Sequence, residues 1–188
     1  NNSDYSNLIF SSGLKFNKFD IICDLIQENC TCNILSGLFL NDNEHQEIKT
    51  RVNHFAPNCK SYQRVKKVLA AESRGVYQGK IFVKDVAQKT DAYQLSKALL
   101  LNDNCEFNSK PELEIYADDV KCSHGSTSGN IDEEALHYLM TRGLKKNEAS
   151  RLLIKGFLND VLEFIKSNSI KNFVQSKLEK FVNGHSIN

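Results

Sequence analysis

K-P-E-L-E-I-Y-A-D-D-V-K-C-S-H-G-S-T-S-G, running from Lys110 to Gly129, carries the densest chemistry in the chain. Pro111 opens a short extended segment in which Leu113 and Ile115 alternate with Glu112, Glu114 and Tyr116. Alternation with period 2 is the pattern of a half-buried strand. Ala117-Asp118-Asp119 reads as a turn, Val120–His124 as a second short strand, and Gly125–Gly129 as a small, flexible exit. Residues i and i+2 of a strand share a face, so Val120, Cys122 and His124 lie on one side. A soft thiol beside an imidazole is a ligand combination that suits iron or zinc.

Upstream of this stretch the sequence repeats the same theme without repeating the same residues. From about Leu8, short apolar runs are broken by Asn, Asp, Gly and Ser. Candidate strands include Leu14–Phe19, Ile21–Ile26, Cys30–Leu35, Leu38–Leu40, Ile48–His54, Lys66–Ala71, Gly75–Tyr77, Lys80–Val83, Leu99–Leu101 and Glu106–Ser109. Turn signals stand at Ser11-Ser12-Gly13, Gln27-Glu28-Asn29, Asn41-Asp42-Asn43 and Asn102-Asp103-Asn104. Many short strands with frequent turns fit a sandwich, a barrel or a β-solenoid. The loose spacing, about 20 to 30 residues per possible coil, falls in the range of repeat folds.

Downstream the period changes to that of helices. Asp132–Arg142 has acidic residues early, an arginine late and Gly143 just beyond, the layout of a helix with a glycine stop. Asn147 is placed to cap a second helix with Ala149, Leu152, Leu153, Phe157, Val161, Phe164 and Ile165 on its apolar face. Ser169 is placed to cap a third, with Ile170, Phe173, Val174, Leu178, Phe181 and Val182 on one face. The expected division is a β unit over residues 1–129 and a helical unit over residues 130–188.

Length and composition exclude several classes. With 188 residues, 40% hydrophobic and 25% charged, the chain suits one ordinary globular domain with a small appendage. A formal charge of +1 gives no nucleic-acid or membrane footprint. No apolar run approaches the roughly 18–20 residues that span a bilayer. N-N-S-D-Y-S-N at the start lacks the basic and apolar regions of a signal peptide. The six cysteines, at 23, 30, 32, 59, 105 and 122, are therefore expected as reduced cytosolic thiols. No Cys-x-x-Cys pair is present, which argues against a zinc ribbon or a ferredoxin-type cluster.

The Lys110–Gly129 stretch resembles the signature of the SufB/SufD family of iron–sulfur cluster assembly scaffolds, and its C-S-H-G step fits the SufD members better than SufB. The likeness continues through H-F-A-P-N-C-K-S (His54–Ser61), S-R-G-V-Y-Q-G-K-I-F-V (Ser73–Val83), A-Q-K-T-D-A-Y-Q (Ala87–Gln94) and L-L-L-N-D (Leu99–Asp103). It extends to D-E-E-A-L-H-Y-L-M-T-R-G (Asp132–Gly143). The resemblance implies a mainly β fold, a right-handed parallel β-helix followed by a C-terminal helical region. It also implies that the chain is a C-terminal fragment of a longer, cytoplasmic, non-catalytic subunit. The implied partners are a SufB-like subunit and a SufC-like ATPase, with homodimerisation an option in isolation because open strand edges invite pairing.

Cys122 and His124 admit two readings. From spacing alone Cys122 is a small buried hydrophobe and His124 closes the last coil. The resemblance instead places both near the SufB-like contact and links the histidine to a transient iron–sulfur cluster shared between the subunits. The polar turns Gly143-Leu144-Lys145-Lys146 and Lys166-Ser167-Asn168-Ser169 are the expected docking points for the ATPase. Asp118-Asp119 would be the acids of a β-helix enzyme acting on sugars, but adjacent strand residues face opposite ways and turn chemistry is the simpler account. A purely structural docking solenoid is a third reading. Cys30 and Cys32 are expected in the core, the Lys66-Lys67 pair on a solvated face, and His45, His54, His137 and His185 without a role.

Overall fold

In the computed structural model, which describes residues 2–165 and 167–184, the chain advances as strands of 9 to 11 residues separated by tight corners. Among the described residues these are β1 (Asp4–Ser12), β2 (Phe16–Leu25), β3 (Thr31–Leu40), β4 (His45–His54), β5 (Lys60–Leu69), β6 (Arg74–Val83), β7 (Thr90–Leu100), β8 (Glu106–Ile115) and β9 (Val120–Asn130). The odd-numbered strands form one sheet, in the order β1-β3-β5-β7-β9, and the even-numbered ones a second, in the order β2-β4-β6-β8. All pairings are parallel. Asp4 pairs with Thr31, Thr31 with Lys60 and Lys60 with Asp91, so each coil takes about 30 residues. This is the expected parallel β-helix, with two strands per coil.

The corners explain the spacing. Asn29, Asn58 and Lys89 have φ of +57°, +59° and +59°, and they occupy successive corners from the four-stranded to the five-stranded sheet. Gly13, Asp42 and Ala71, at +76°, +52° and +54°, do the same at the opposite corner. Left-handed backbone is cheap for Gly and tolerable for Asn and Asp, whose short polar chains bond locally. Ala71 and Lys89 lack that help. Phe55, Phe82 and Tyr116 stack along one corner, with ring centroids 5.8 and 5.9 Å apart.

Strands are longer than the apolar runs suggest. Leu14–Phe19 and Ile21–Ile26 belong to a single strand, as do the two halves of β3, β6 and β8. The intervening polar residues, such as Asp20 and Gln78, lie on the solvent side of a continuous ladder. The first half of β7 escapes an apolar scan because its inward residues are Ala92, Gln94 and Ser96. Pro111 sits inside β8 rather than at its start. Proline removes one donor, and β8 tolerates this as the edge of its sheet. The expected flexible exit, Gly125–Gly129, is the second half of β9.

The five-stranded sheet is covered on both faces. Leu38, Leu40 and Val65 point inward to meet Ile48 and Tyr77 of the other sheet. Phe39 and Val68 point outward and share a core with Ile154, Leu158, Leu178 and Val182. Those four belong to the helical layer, built from α1 (Glu133–Thr141), α2 (Lys146–Asn159), a 3-10 turn (Asp160–Phe164) and α3 (Asn168–Gly184). Asp132 caps α1, its Oδ1 accepting from the amides of Glu134 and Ala135 at 3.0 and 3.1 Å. Gly143, at φ +96°, ends the α1 segment as expected. Lys145, not Asn147, is the N-cap of α2, and its amide donates to the Glu148 carboxylate at 3.0 Å. The buried face of α2 is Ala149, Ser150, Ile154 and Leu158, while Leu152 is exposed. The α3 helix buries Val174, Leu178 and Val182 and leaves Ile170 and Phe173 outside.

Charges fasten the layer. Asp160 pairs with Arg64 at 2.8 Å and with Lys66, whose ammonium also donates to the Phe157 carbonyl at 2.8 Å. Arg64 and Lys66 lie over the rings of Phe164 and Phe157. The Lys66-Lys67 pair is therefore not a solvated face: Lys66 is clamped under α2, and Lys67, one residue on, points into the solenoid. No described helix is long and apolar enough to cross a membrane.

Ala71→Gly is expected to raise the unfolding free energy by about 0.5–1 kcal/mol, because relief of left-handed strain exceeds the added entropy of the unfolded chain. Urea denaturation followed by circular dichroism measures it. The same change at Ala70, which lacks the positive φ, should destabilise.

Candidate functional site

The lumen between the sheets is partly polar. Thr50 donates to the Gln63 amide oxygen at 2.5 Å, and the Tyr77 hydroxyl lies 3.2 Å from Thr50 and 3.4 Å from Gln63. Gln94 donates to the Gly79 carbonyl at 3.2 Å. A Cβ at Gly79 would collide with Tyr77 and Gln94, which is the reason for glycine there. The Lys67 ammonium donates to the carbonyls of Val76 at 2.7 Å and Gln46 at 3.1 Å, with no exposed surface. Burial pulls its pKa down to about 7, against the opposing attraction of Glu47. His54, fully buried, shares a 2.9 Å hydrogen bond with Ser61 and is pulled down to about 4 by burial. Apolar patterning hides these residues, because Lys and His in an otherwise apolar strand look like surface.

Cys122 and His124 stand where this lumen opens. In the β7–β9 register, Ala92 faces Cys122, Gln94 faces His124 and Ser96 faces Ser126. Ser126 bonds the buried Ser96 hydroxyl at 2.9 Å, and Ser96 reaches Ser109 of the opposite sheet at 2.8 Å. The set Cys122, His124 and Ser126 therefore belongs to the inward face of the last strand. Cys122 is half-buried against Ile81, Val83 and Ala92. Burial pushes its thiol up, a backbone hydrogen bond at Ala92 opposes this, and Asp91 adds to the rise. His124 is exposed. Same-face strand neighbours lie about 6.6 Å apart along the chain, close enough to serve one ligand. Among the described residues, no group of three or more His, Cys, Asp and Glu side chains could hold a metal. Imidazole and thiol suit iron, but two donors leave a tetrahedral set half filled.

The other candidates separate. Asp118 and Asp119 are exposed turn residues, and the Asp119 backbone is held by Lys89 and by the Gln88 side chain at 3.0 Å. A depression on the outer face of the four-stranded sheet is lined by Asp20, Lys49, Arg51, Lys80 and Glu112, with neither Asp118 nor Asp119 in it. Its Glu112 is paired to Lys110 at 2.8 Å. The turn Gly143-Leu144-Lys145-Lys146 begins α2, and Ser167-Asn168-Ser169 follows the 3-10 turn beyond its far end. Fourteen helical residues span about 21 Å, so the two turns do not form one patch. Lys166 and His185 lie outside the described residues.

Residues 1–157 match the family model described as "SUF system FeS cluster assembly, SufBD core domain". The chain belongs to the SufBD family. It is 36% identical over 151 residues to the iron–sulfur cluster assembly protein SufD of Escherichia coli (strain K12), covering 80% of this chain and 36% of that protein. The protein of the same name from Bacillus subtilis (strain 168) is 31% identical over 137 residues, or 73% of this chain and 31% of its own length. An iron–sulfur cluster assembly SufBD family protein of Synechocystis is 37% identical over 138 residues, 73% of this chain and 29% of that protein. The chain thus spans about a third of the length of the curated relatives it matches. Its SufBD match runs past β9 into α2, so the family pattern includes the start of the helical layer.

Lys67 generates a pH prediction. Its folded pKa of about 7 lies below the unfolded value of about 10.4. Between these values the unfolded chain holds a proton that the folded chain does not, so stability rises with pH, by at most about 1.4 kcal/mol per unit. Lys67→Met should remove that rise. The difference in unfolding free energy between Lys67→Met and the parent should shrink steadily from pH 7 to pH 10, measured by urea titration at each pH.

Proposed function

We propose that this chain is the assembly-scaffold part of a cytoplasmic SUF subunit, itself without catalytic activity, which supports building of an iron–sulfur cluster at the mouth of its last coil. The observation that carries this reading is the placement of His124: exposed, on the lumen face of an edge strand, beside the half-buried Cys122, in a chain of the SufBD family. The nascent cluster is cargo. His124 supplies an imidazole nitrogen, and Cys122 a weaker thiol donor because its thiolate is disfavoured by burial. A SufB-like subunit supplies the remaining donors by approaching the free side of β9, whose backbone groups on that side have no partner strand among the described residues. A SufC-like ATPase docks on the helical layer, at the Gly143–Lys146 turn, with Ser167, Asn168 and Ser169 as a second contact.

Helical docking is tested by substitution rather than truncation. Deleting α2 and α3 would expose Phe39 and Val68 and unfold the sheet they cover. Lys145→Glu with Lys146→Glu reverses charge at an exposed turn and should weaken ATPase binding in a pull-down or calorimetric titration, leaving the melting temperature unchanged. Full-strength binding would place the contact elsewhere.

For the cluster site, the full-length subunit is assembled with SufB-like and SufC-like partners under anaerobic conditions. His124→Ala should lower iron and sulfide content by at least about tenfold, the scale of losing even an outer partner of a metal ligand. Complex formation should persist, because an exposed histidine adds little to the core. Cys122→Ser should have a smaller effect. Parental iron and sulfide in His124→Ala would favour a docking module without a chemical role at this rim.

A further inference from the structure

Two cysteines far from the His124 rim lie on either side of the β2–β3 corner. Cys23 is two residues from the end of β2, and Cys32 is the second residue of β3. Each belongs to the inward set of its strand, Ile21-Cys23-Leu25 and Cys32-Ile34, and both pack in one cluster with Val52, Ala56 and Cys59. The Cys23 and Cys32 thiols are close enough in this cluster to perturb each other. The two strands belong to different sheets, joined only by the corner from Ile26 to Cys30. Cys32 has no exposed surface, whereas Cys23 is only half-buried.

We propose that Cys23 and Cys32 are an oxidisable thiol pair that closes to a disulfide across this corner on exposure to a hydroperoxide. The roles of the two sulfurs follow from their surroundings. The neighbouring Cys32 thiol lowers the Cys23 pKa, against burial and the Asp24 carboxylate. The same contact, with burial, raises that of Cys32. Cys23 is the half-buried sulfur that a peroxide can reach while Cys32 is fully enclosed, so Cys23 attacks as the thiolate and Cys32 resolves. The Cys23 thiolate attacks one peroxide oxygen, the O–O bond breaks, and hydroxide leaves and is protonated to water. Cys23 is then a sulfenic acid. The Cys32 sulfur attacks the Cys23 sulfur, the S–O bond breaks, and the departing hydroxide takes the Cys32 proton as a second water. Two thiols have lost two electrons and two protons, and one hydrogen peroxide has become two waters.

The neighbouring pair is less suited. Cys59 donates to the Gln27 carbonyl at 3.2 Å and the Pro57 carbonyl at 3.6 Å, and burial raises its pKa. Cys30 donates to the Glu28 carbonyl at 3.6 Å. These two thiols also act on each other, but both donate to backbone carbonyls, which holds them away from a disulfide geometry. A Cys23–Cys32 bond would tie the two sheets at the first coil and restrict its opening.

The test treats the reduced 188-residue chain with one equivalent of hydrogen peroxide, followed by digestion without reductant and mass mapping. The expected product is a peptide pair linked through Cys23 and Cys32, lighter by two hydrogens and released by dithiothreitol. Hydrogen exchange of residues 16–40 should be slower in the oxidised form. Cys32→Ala should leave Cys23 as a sulfenic acid that dimedone traps, and Cys23→Ala should give neither product. Should Cys32→Ala fail to fold by circular dichroism, the mapping of the parent chain decides. A Cys30–Cys59 linkage in preference, a sulfinic acid at Cys23 without linkage, or an unreacted Cys23 would each overturn the proposal.

Discussion

The first six corners of the body, from β1–β2 to β6–β7, each hold one residue in left-handed backbone. That constraint sets the coil length, because the strands stack in parallel register only if each corner returns the chain to the same edge. Gly13, Asp42 and Ala71 mark one side, and Asn29, Asn58 and Lys89 the other. Once the register is fixed, side-chain alternation decides what enters the lumen and what faces out. The inward polar residues then line up in columns: Gln63, Gln94 and His124 on one, Ser96 and Ser126 on another. The parallel register of β9 on β7 places His124 at the open end of the first of these columns.

The lumen is an expensive interior. Lys67, His54, Gln63 and Tyr77 are buried there, and each needs partners because an unpaired buried polar group is costly. Some atoms, including Gln63 Nε2, Gln94 Oε1 and His54 Nδ1, have no hydrogen-bond partner among the described residues. A purely structural solenoid would be more stable with aliphatic residues at these positions. The helical layer plays the opposite part. It buries Phe39 and Val68, and Asp160 holds Arg64 and Lys66 beneath it, giving the other face of the same sheet an ordinary apolar core.

Much of this architecture was legible in the sequence, but unevenly. The strand pair around Asp118-Asp119, the shared face of Cys122 and His124, and the helix bounded by Asp132 and Gly143 follow from local pattern and capping chemistry. The solenoid itself did not, since sandwich and barrel share the same short alternating strands; the family likeness supplied it. The left-handed corners were visible only as scattered Asn, Asp and Gly, because Ala71 and Lys89 interrupt the repeat. Adjacent lysines such as Lys66 and Lys67 read as solvated, because no one-dimensional pattern shows that one has two carbonyls waiting in a lumen and the other an aspartate in the covering layer. Leu152 and Phe173 fall on apolar stripes yet are exposed for a related reason: helical spacing identifies an apolar stripe but not which part of it meets the sheet. The apposition of Cys23 and Cys32 needed the corner between two sheets, which sequence spacing alone does not describe.

The central claim is that the free side of β9, with His124 at its lumen face, is where a second subunit completes the site. Hydrogen–deuterium exchange of the chain with and without a purified SufB-like subunit tests it most directly. Half of the β9 amides already pair with β7, and the account predicts that the others, between Val120 and Asn130, exchange much more slowly in the complex. Unchanged exchange along β9, with protection confined to the outer face of the four-stranded sheet or to the helices, would contradict it.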